Sequence, residues 1–432
     1  MRRFKMFSHL HQANSPLFCL LSCNYSLLFI IFALYLITAL TDRKLKHKGL
    51  LKLLPFLGLV FLTLRASAQV DYSPIFTTLR LEARADFDYL ATRSSSPDTS
   101  MNHYGFNGRY FNLLIGGNLG DKFSYFFRQR IVATSGTSRL FDNTDFLYLN
   151  FNPNQQWTIR LGKDAIAVGG FEYDAPPIDV LFSTTYWDNF YCFQLGASGV
   201  YKTKDGRNMI VAQVANSPYV YYGSGVGTGL GKEWKSGLMS YNILWSGTFG
   251  HFKTLYSVNM FERRKGSFMG YIALGHKLTY DRWDIYLDLL HHSVALDDWG
   301  RNFGVVSCVN FLVTKDVNLF AKAAYEQNRS EADILSYQTS GNSLDCLVAA
   351  GHSYLLYGLG FEWRPSFYKD VRLHGFVACR HENEIARTSA TGRAESTRIL
   401  NANIGITWNM NIHKILKERV FKKEVVTEVS GQ

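Results

Sequence analysis

Residues 79–89 read Leu-Arg-Leu-Glu-Ala-Arg-Ala-Asp-Phe-Asp-Tyr. Every odd position is apolar, and every even one is charged (Arg80, Glu82, Arg84, Asp86, Asp88). On a helix this period would spread the charges around the whole circumference. On an extended strand it gives one apolar face and one charged face. The run is about as long as a tilted strand crossing a bilayer, ~9–11 residues.

The pattern recurs along the chain. Ile404, Ile406, Trp408, Met410 and Ile412 alternate with Asn403, Gly405, Thr407, Asn409 and Asn411. Trp283, Ile285, Leu287 and Leu289 alternate with Arg282, Asp284 and Asp288, and Leu355–Trp363 alternates against glycines and Glu362. The alternation predicts sixteen strands, over 75–90, 105–119, 122–133, 144–151, 156–163, 190–202, 208–216, 237–248, 252–264, 267–280, 282–295, 301–313, 317–328, 352–364, 371–383 and 397–412.

Turn chemistry supports this division. Gly120-Asp121, Pro153-Asn154, Lys204-Asp205-Gly206, Gly250-His251, Asp281, Lys315-Asp316 and Pro365–Asp370 mark short connections. Longer segments, 91–104, 134–143, 164–189, 217–236, 329–351 and 384–396, fall between them. Alternating short and long connections are the habit of transmembrane barrels, with short periplasmic turns and longer outer loops. Pro74, Pro97, Pro153, Pro176, Pro177, Pro218 and Pro365 all lie outside the strands, as a residue with no ladder donor must. The expected fold is therefore all-β, a transmembrane antiparallel β-barrel of about sixteen strands over 69–413. Trp157, Phe190, Trp283, Trp363 and Phe376 are expected to form the aromatic girdles at the two membrane surfaces.

The N-terminus reads as two segments. Leu50–Leu64 is an apolar run behind Lys44, Lys46 and Lys48 and ahead of Ala66-Ser67-Ala68. A basic flank, a short apolar core and an Ala-x-Ala stop describe a secretory signal over 45–68, cleaved after Ala68. Residues 1–44 carry a second apolar run, Leu27–Leu40, and read as a misassigned extension, with the true start near Leu45. Residues 414–432 are expected to be a periplasmic tail. The net charge of +11 is concentrated at this end. Residues 1–68 hold nine Lys/Arg against one Asp, leaving a net of +3 for the remainder, with no basic stripe of the kind nucleic-acid binding requires.

Around sixteen strands leave an aqueous channel, whereas eight fill with side chains. Residues 164–189, the longest connection on the outer side, contain Gly169-Gly170 and Pro176-Pro177 as bends, with Phe171, Tyr173, Ile178, Val180 and Leu181 needing burial. Folding inward against the barrel wall would bury them and narrow the pore, although an apolar loop can also cover a subunit interface.

Three runs resemble the phosphate-selective porin O and P family: Asn143-Thr-Asp-Phe-Leu-Tyr-Leu-Asn-Phe, Trp157-Thr-Ile-Arg-Leu-Gly-Lys163, and Gly169-Gly-Phe-Glu-Tyr-Asp-Ala-Pro-Pro-Ile-Asp179. Gly108-Arg-Tyr-Phe and Phe127-Arg-Gln-Arg130 add to the likeness. The resemblance implies an outer-membrane porin, a homotrimer with an inward third loop and an anion path lined by basic residues. Alternation turns Arg80, Arg84, Arg128, Arg130, Arg160, Lys322, Arg372 and Arg380 to the lumen, together with Glu82, Asp86, Asp88, Asp284, Asp288, Glu326 and Glu362. The two signs nearly balance. The expected constriction sets Arg128, Arg130, Arg160 and Lys163 on the wall against Glu172, Asp174 and Asp179 on the loop.

The expected function is passive diffusion of small polar or ionic solutes, anions such as phosphate among them, across the outer membrane, with outer-membrane lipid around the barrel. The alternative is a non-conducting structural or adhesive barrel. No enzyme is expected: there is no Gly-x-Ser-x-Gly, and the Gly223–Gly231 run departs from the phosphate-loop pattern at Val226 and Glu233. No cofactor or metal is expected, since Cys192, Cys308, Cys346 and Cys379 lack ligand spacing. A Cys308–Cys346 bridge stays open, and His291-His292 reads as a pair of interface residues.

Overall fold

The structure is a computed structural model. It describes residues 76–95, 100–131, 143–190, 192–218, 237–293, 300–329, 334–338, 344–348, 351–384 and 396–415. The expected extension 1–44, the signal 45–68 and most of the tail 414–432 lie outside the described residues.

Among the described residues eighteen strands follow one another: β1 (Thr78–Ser94), β2 (Met101–Leu119), β3 (Phe123–Arg130), β4 (Thr144–Phe151), β5 (Trp157–Ala165), β6 (Phe193–Lys202), β7 (Asn208–Asn216), β8 (Met239–Phe249), β9 (Phe252–Arg264), β10 (Ser267–Tyr280), β11 (Trp283–Ser293), β12 (Asn302–Leu312), β13 (Val317–Asn328), β14 (Ile334–Gln338), β15 (Leu344–Val348), β16 (His352–Trp363), β17 (Val371–Glu384) and β18 (Ser396–Asn411). Sixteen of them close an antiparallel barrel in which each strand pairs with its barrel neighbours in sequence order, skipping the β14–β15 hairpin, and β1 pairs with β18 from Arg80↔Asn411 to Ser94↔Thr397. Closure leaves no strand edge, the condition for a sheet to cross lipid.

The sixteen-stranded barrel agrees with the sequence reading, with two differences. β1 runs on to Ser94 and β2 begins at Met101, so most of 91–104 is hairpin rather than loop. The Ser- and Thr-rich residues there are held by pairing across to β18, a tertiary effect that local alternation does not show. Likewise, 329–351 is not simply a loop but contains β14–β15.

Alternation sorts the side chains as the period requires. Leu161, Ile243, Val258, Leu359 and Ile404 are exposed on the outside of the barrel, where lipid covers them. Trp157, Phe249, Tyr280, Trp283 and Trp363 lie beside the short turns and are exposed as well, a girdle at the periplasmic boundary. Phe190 and Phe376, read from sequence as girdle residues, are instead each 5% exposed. Phe376 pairs with Gly360 on the inward row, and both phenyl groups pack in the interior cluster described next.

Inside, the barrel is two-sided. The inward rows of β9 to β17 carry Phe261, Met269, Tyr271, Ala273, Leu290, Val306, Ala324, Leu356, Phe376 and Ala378. This apolar stretch of wall meets Ile166, Val168, Phe182, Tyr186 and Phe190 of the β5–β6 connection in one buried cluster. Tyr186 stacks on Tyr271 at 4.8 Å and 13°. His292, 1% exposed, stacks behind Tyr271 on the inward row, whereas His291, 8% exposed, lies on the opposite face with Nδ1 3.0 Å from the Asn302 carbonyl oxygen. Cys308 is a buried free thiol, which removes the Cys308–Cys346 bridge.

Candidate functional site

The β5–β6 connection crosses the lumen and carries two short helices, α1 (Phe171–Asp174) and α2 (Thr185–Asn189). α2 has an N-cap of its own, Thr184, whose hydroxyl accepts from the Trp187 N–H at 3.2 Å, and α1 has none. A helix start leaves several backbone N–H groups without partners, and α1 begins after Gly170, which has no side chain to cap it. The wall supplies the cap. Asp288 of β11, 1% exposed, accepts from the N–H groups of Phe171 at 2.8 Å and Glu172 at 2.9 Å. Glu326 of β13 does the same for α2, accepting from the N–H of Thr185 at 3.0 Å and of Tyr186 at 3.1 Å, and from Thr185 Oγ1 at 2.5 Å. A carboxylate at a helix N-terminus gains charge-assisted hydrogen bonds, which offsets its removal from water.

The approach to α1 is made of glycine. A β-carbon on Gly169 would lie 2.5 Å from the Leu255 carbonyl oxygen, and one on Gly275 would lie 3.0 Å from Gly170 Cα. Gly170 itself has φ +97°, a conformation that favours glycine. The Gly169-Gly170 pair is thus read by backbone contact with β9 and β10.

The loop also gives its own charges to the wall. Glu172, 4% exposed, takes Lys322 Nζ at 2.5 Å and the Thr184 hydroxyl at 2.7 Å. Lys322 Nζ also donates to the Phe182 carbonyl at 2.7 Å. Arg372 of β17 binds Asp179 at 2.6 Å, Glu362 at 2.9 Å and the Ile178 carbonyl at 3.0 Å. Arg84 of β1 reaches the Val180 carbonyl at 2.9 Å. These tethers run from β9 through β11, β13 and β17 to β1, so the loop lies along that part of the wall.

The basic residues of β3 and β5 are held differently. Arg128 and Arg130 share Asp145, at 2.9 and 2.7 Å. Arg128 lies over the Phe146 ring at 4.4 Å, and Arg130 keeps 37% of its side chain exposed. Arg160 pairs with Asp164 at 2.5 Å, over the Tyr148 ring at 4.1 Å. On β2, Arg109 pairs with Asp86 at 3.4 Å and Asp88 at 2.7 Å and is 39% exposed. Lys163 pairs in register with Leu147 and Leu195, out of step with Arg160, and is 3% exposed.

Of the seven residues expected at the constriction, Arg128, Arg130 and Arg160 therefore share one stretch of inner wall. Asp174 and Asp179 lie on the exposed side of the loop. Glu172 instead points into the loop–wall contact, where Lys322 pairs with it. Sequence reasoning missed Asp145 and Arg109, which sit at irregularities of the ladder. Register shifts fall between Arg128 and Gln129, opposite Asp145, and between Arg84 and Ala85, opposite Arg109. A bulge re-aims the side chain that simple alternation would send outward.

A closed sixteen-stranded antiparallel barrel with a loop bound inside its lumen is the architecture of outer-membrane porins. The family match is consistent with it: the model of the phosphate-selective porin O and P family matches residues 78–225, the part that carries β1 to β7 and the inward loop. Among solved structures, the anion-selective porin from Comamonas acidovorans is 11% identical, over 77% of this chain and 99% of that one, with a TM-score of 0.50. The trimer form of OmpT, an outer-membrane protein of Vibrio cholerae, is 11% identical over 77% and 98% of the two chains, with a TM-score of 0.48. No curated protein matches the chain.

Proposed function

We propose that the barrel conducts small polar and ionic solutes by passive diffusion, with a weak preference for anions. The free lumen at the narrowest level would lie between the exposed edge of the inward loop and the β2–β5 wall. Arg109, Arg130 and Arg160 are half-exposed on that wall, and Asp174, Asp179 and Asp188 lie on the loop edge. We read the chain as a channel rather than an enzyme, and as a homotrimer in the outer membrane.

The preference rests on one observation. Arg128 and Arg130 share a single carboxylate, Asp145, so this wall keeps one positive charge in excess. The Arg160–Asp164 pair adds none, and Arg109 is balanced by carboxylates of β1. The Arg130 guanidinium, the more exposed of the two, would present that excess to a passing anion. An excess of one among paired charges predicts mild selectivity rather than exclusion of cations.

The test is a reversal potential in a planar bilayer under a salt gradient. The wild-type channel should reverse on the anion side, and Arg130→Gln should move the reversal potential toward zero or past it. A variant that reverses where the wild type does would remove Arg130 from the selectivity. A folded, heat-modifiable protein that gives no current steps would favour the non-conducting barrel.

A further inference from the structure

On the outer surface of the barrel, the lipid-facing rows of β1, β17 and β18 change from apolar to basic toward the long-loop end. On β1, the outward positions Phe87 and Tyr89 are exposed, and on β18 so are Leu400, Ile404 and Ile406. Val377 of β17 and Tyr357 of β16 continue this band. Two and four residues farther toward the long-loop end of β1, the same row reaches Ala91 and then Arg93. Arg93 pairs in register with Arg398 of β18, and Arg398 pairs with His381 of β17. Three basic side chains therefore stand side by side on adjacent strands, on the membrane-facing side, just beyond the apolar band.

Like charges directly opposite one another destabilise a ladder. Arg93 and Arg398 are both exposed, and among the described residues neither is in an ion pair. Arg93 donates to neutral oxygens, the Thr92 carbonyl at 2.9 Å and Asn102 Oδ1 at 2.7 Å. His381 is steadied from below by Tyr357, whose ring stacks on it at 5.7 Å and 19° and whose hydroxyl lies 3.2 Å from Nε2. In the lumen, by contrast, Arg84, Arg128, Arg130, Arg160 and Arg372 are each held by a carboxylate.

We propose that Arg93, Arg398 and His381 form a site on the outside of the barrel for the phosphorylated headgroup of an outer-leaflet lipid. Position and charge both select this occupant. The long-loop end of a porin faces the outside, so the cluster stands at the level of the outer-leaflet headgroups, with acyl chains covered by Tyr89, Leu400 and Val377 beneath it. A phosphate monoester brings more than one negative charge and several acceptor oxygens, enough to bridge two guanidinium groups. A neutral headgroup would leave the two arginines repelling each other. The site is separate from the solute path, which runs through the inside.

The experiment uses the full barrel refolded in detergent, titrated with bisphosphorylated lipid A, with enzymatically dephosphorylated lipid A, and with inorganic phosphate. Thermal unfolding and retained lipid phosphate per chain are the readouts. The proposal expects bisphosphorylated lipid A to raise the melting temperature and to be retained, the dephosphorylated lipid to do so weakly, and inorganic phosphate not at all. At roughly fivefold per basic residue facing an anionic surface, Arg93→Gln with Arg398→Gln should weaken retention about 25-fold. Single-channel conductance of the double variant should equal that of the wild type, which shows that the barrel is folded and the pore untouched. Equal stabilisation by both lipids, or undiminished retention by the double variant, would overturn the proposal. So would cross-linking that places another copy of the chain over Arg398.

Discussion

Asp288 gives the sharpest test of how the loop is held. Its carboxylate receives two backbone N–H groups of α1, at 2.8 and 2.9 Å, from a position 1% exposed on β11. A buried hydrogen bond to a charged acceptor contributes about 1.5–3 kcal/mol net, so Asp288→Ala removes about 3–6 kcal/mol from the docked state of α1. At 1.4 kcal/mol per factor of ten, the undocked population of that end of the loop rises by about two to four orders of magnitude. Asp288→Asn keeps one acceptor oxygen and turns an amide donor toward the second N–H. Leaving one buried donor unsatisfied costs about 1–3 kcal/mol, a smaller step in the same direction. The barrel itself should persist, because α2 keeps its own cap on Glu326 and its stack on Tyr271. The assay is single-channel recording in planar bilayers: open-channel noise and brief current transitions should increase in the order wild type, Asp288→Asn, Asp288→Ala. If the alanine variant, shown to be folded by heat-modifiable mobility, is as quiet as the wild type, wall-supplied capping is not what fixes the loop.

Other variants separate the remaining tethers. Lys322→Met leaves Glu172 buried without its cation, which should cost about 3–5 kcal/mol of loop docking and expose residues 166–190 to added protease; combining it with Glu172→Gln should restore most of the protection. Gly275→Val places a β-carbon 3.0 Å from Gly170 Cα and 3.1 Å from the Leu255 carbonyl, backbone atoms that cannot yield, so the loop must lift and conductance should rise. Tyr186→Ala empties the centre of the interior cluster, where Tyr186 stacks between Tyr271 and Phe190, and should cost about 3–5 kcal/mol, seen as a lower temperature for loss of protease resistance in the loop.

The barrel was legible because its signal is local. Arg80 to Asp88 announce a charged face in consecutive residues, and the same period sets each strand's register of inside and outside. Turn residues were legible for the same reason: Asp281, read as a tight connection, has φ 50°, a left-handed conformation that aspartate tolerates better than most residues. The strand ends were less so. Thr92 and Ser94 carry no alternation of their own and stay extended because β18 pairs with them across the closure of the barrel. The aromatic girdle was readable at Trp157, Trp283 and Trp363. It misled at Phe190 and Phe376, since the same ring serves a lipid boundary or a buried loop, and only the row on which it falls decides.

The site was legible as a composition but not as a set of partnerships. Alternation turned Asp288, Glu326, Lys322 and Arg372 inward, yet nothing local says that two of them cap helices more than a hundred residues away and the other two hold carboxylates of the same loop. Asp145 was invisible to parity, because the bulge that brings it to Arg128 and Arg130 is defined only by pairing with β3. The consequence bears on selectivity. Counting inward charges gives near balance and would predict an indifferent pore. Once Asp288 and Glu326 are assigned to helix termini, and Lys322 and Arg372 to Glu172, Asp179 and Glu362, those charges leave the count, since each is fixed in the loop–wall contact. What remains for the solute is the stretch of wall the loop does not cover, where the shared Asp145 leaves a guanidinium over, faced by Asp174 and Asp188 on the loop edge. On the proposed reading the ion preference follows from which charges the loop consumes, so a substitution at a tether such as Glu172 should change selectivity only by moving the loop, whereas one at Arg130 should change it with the loop in place.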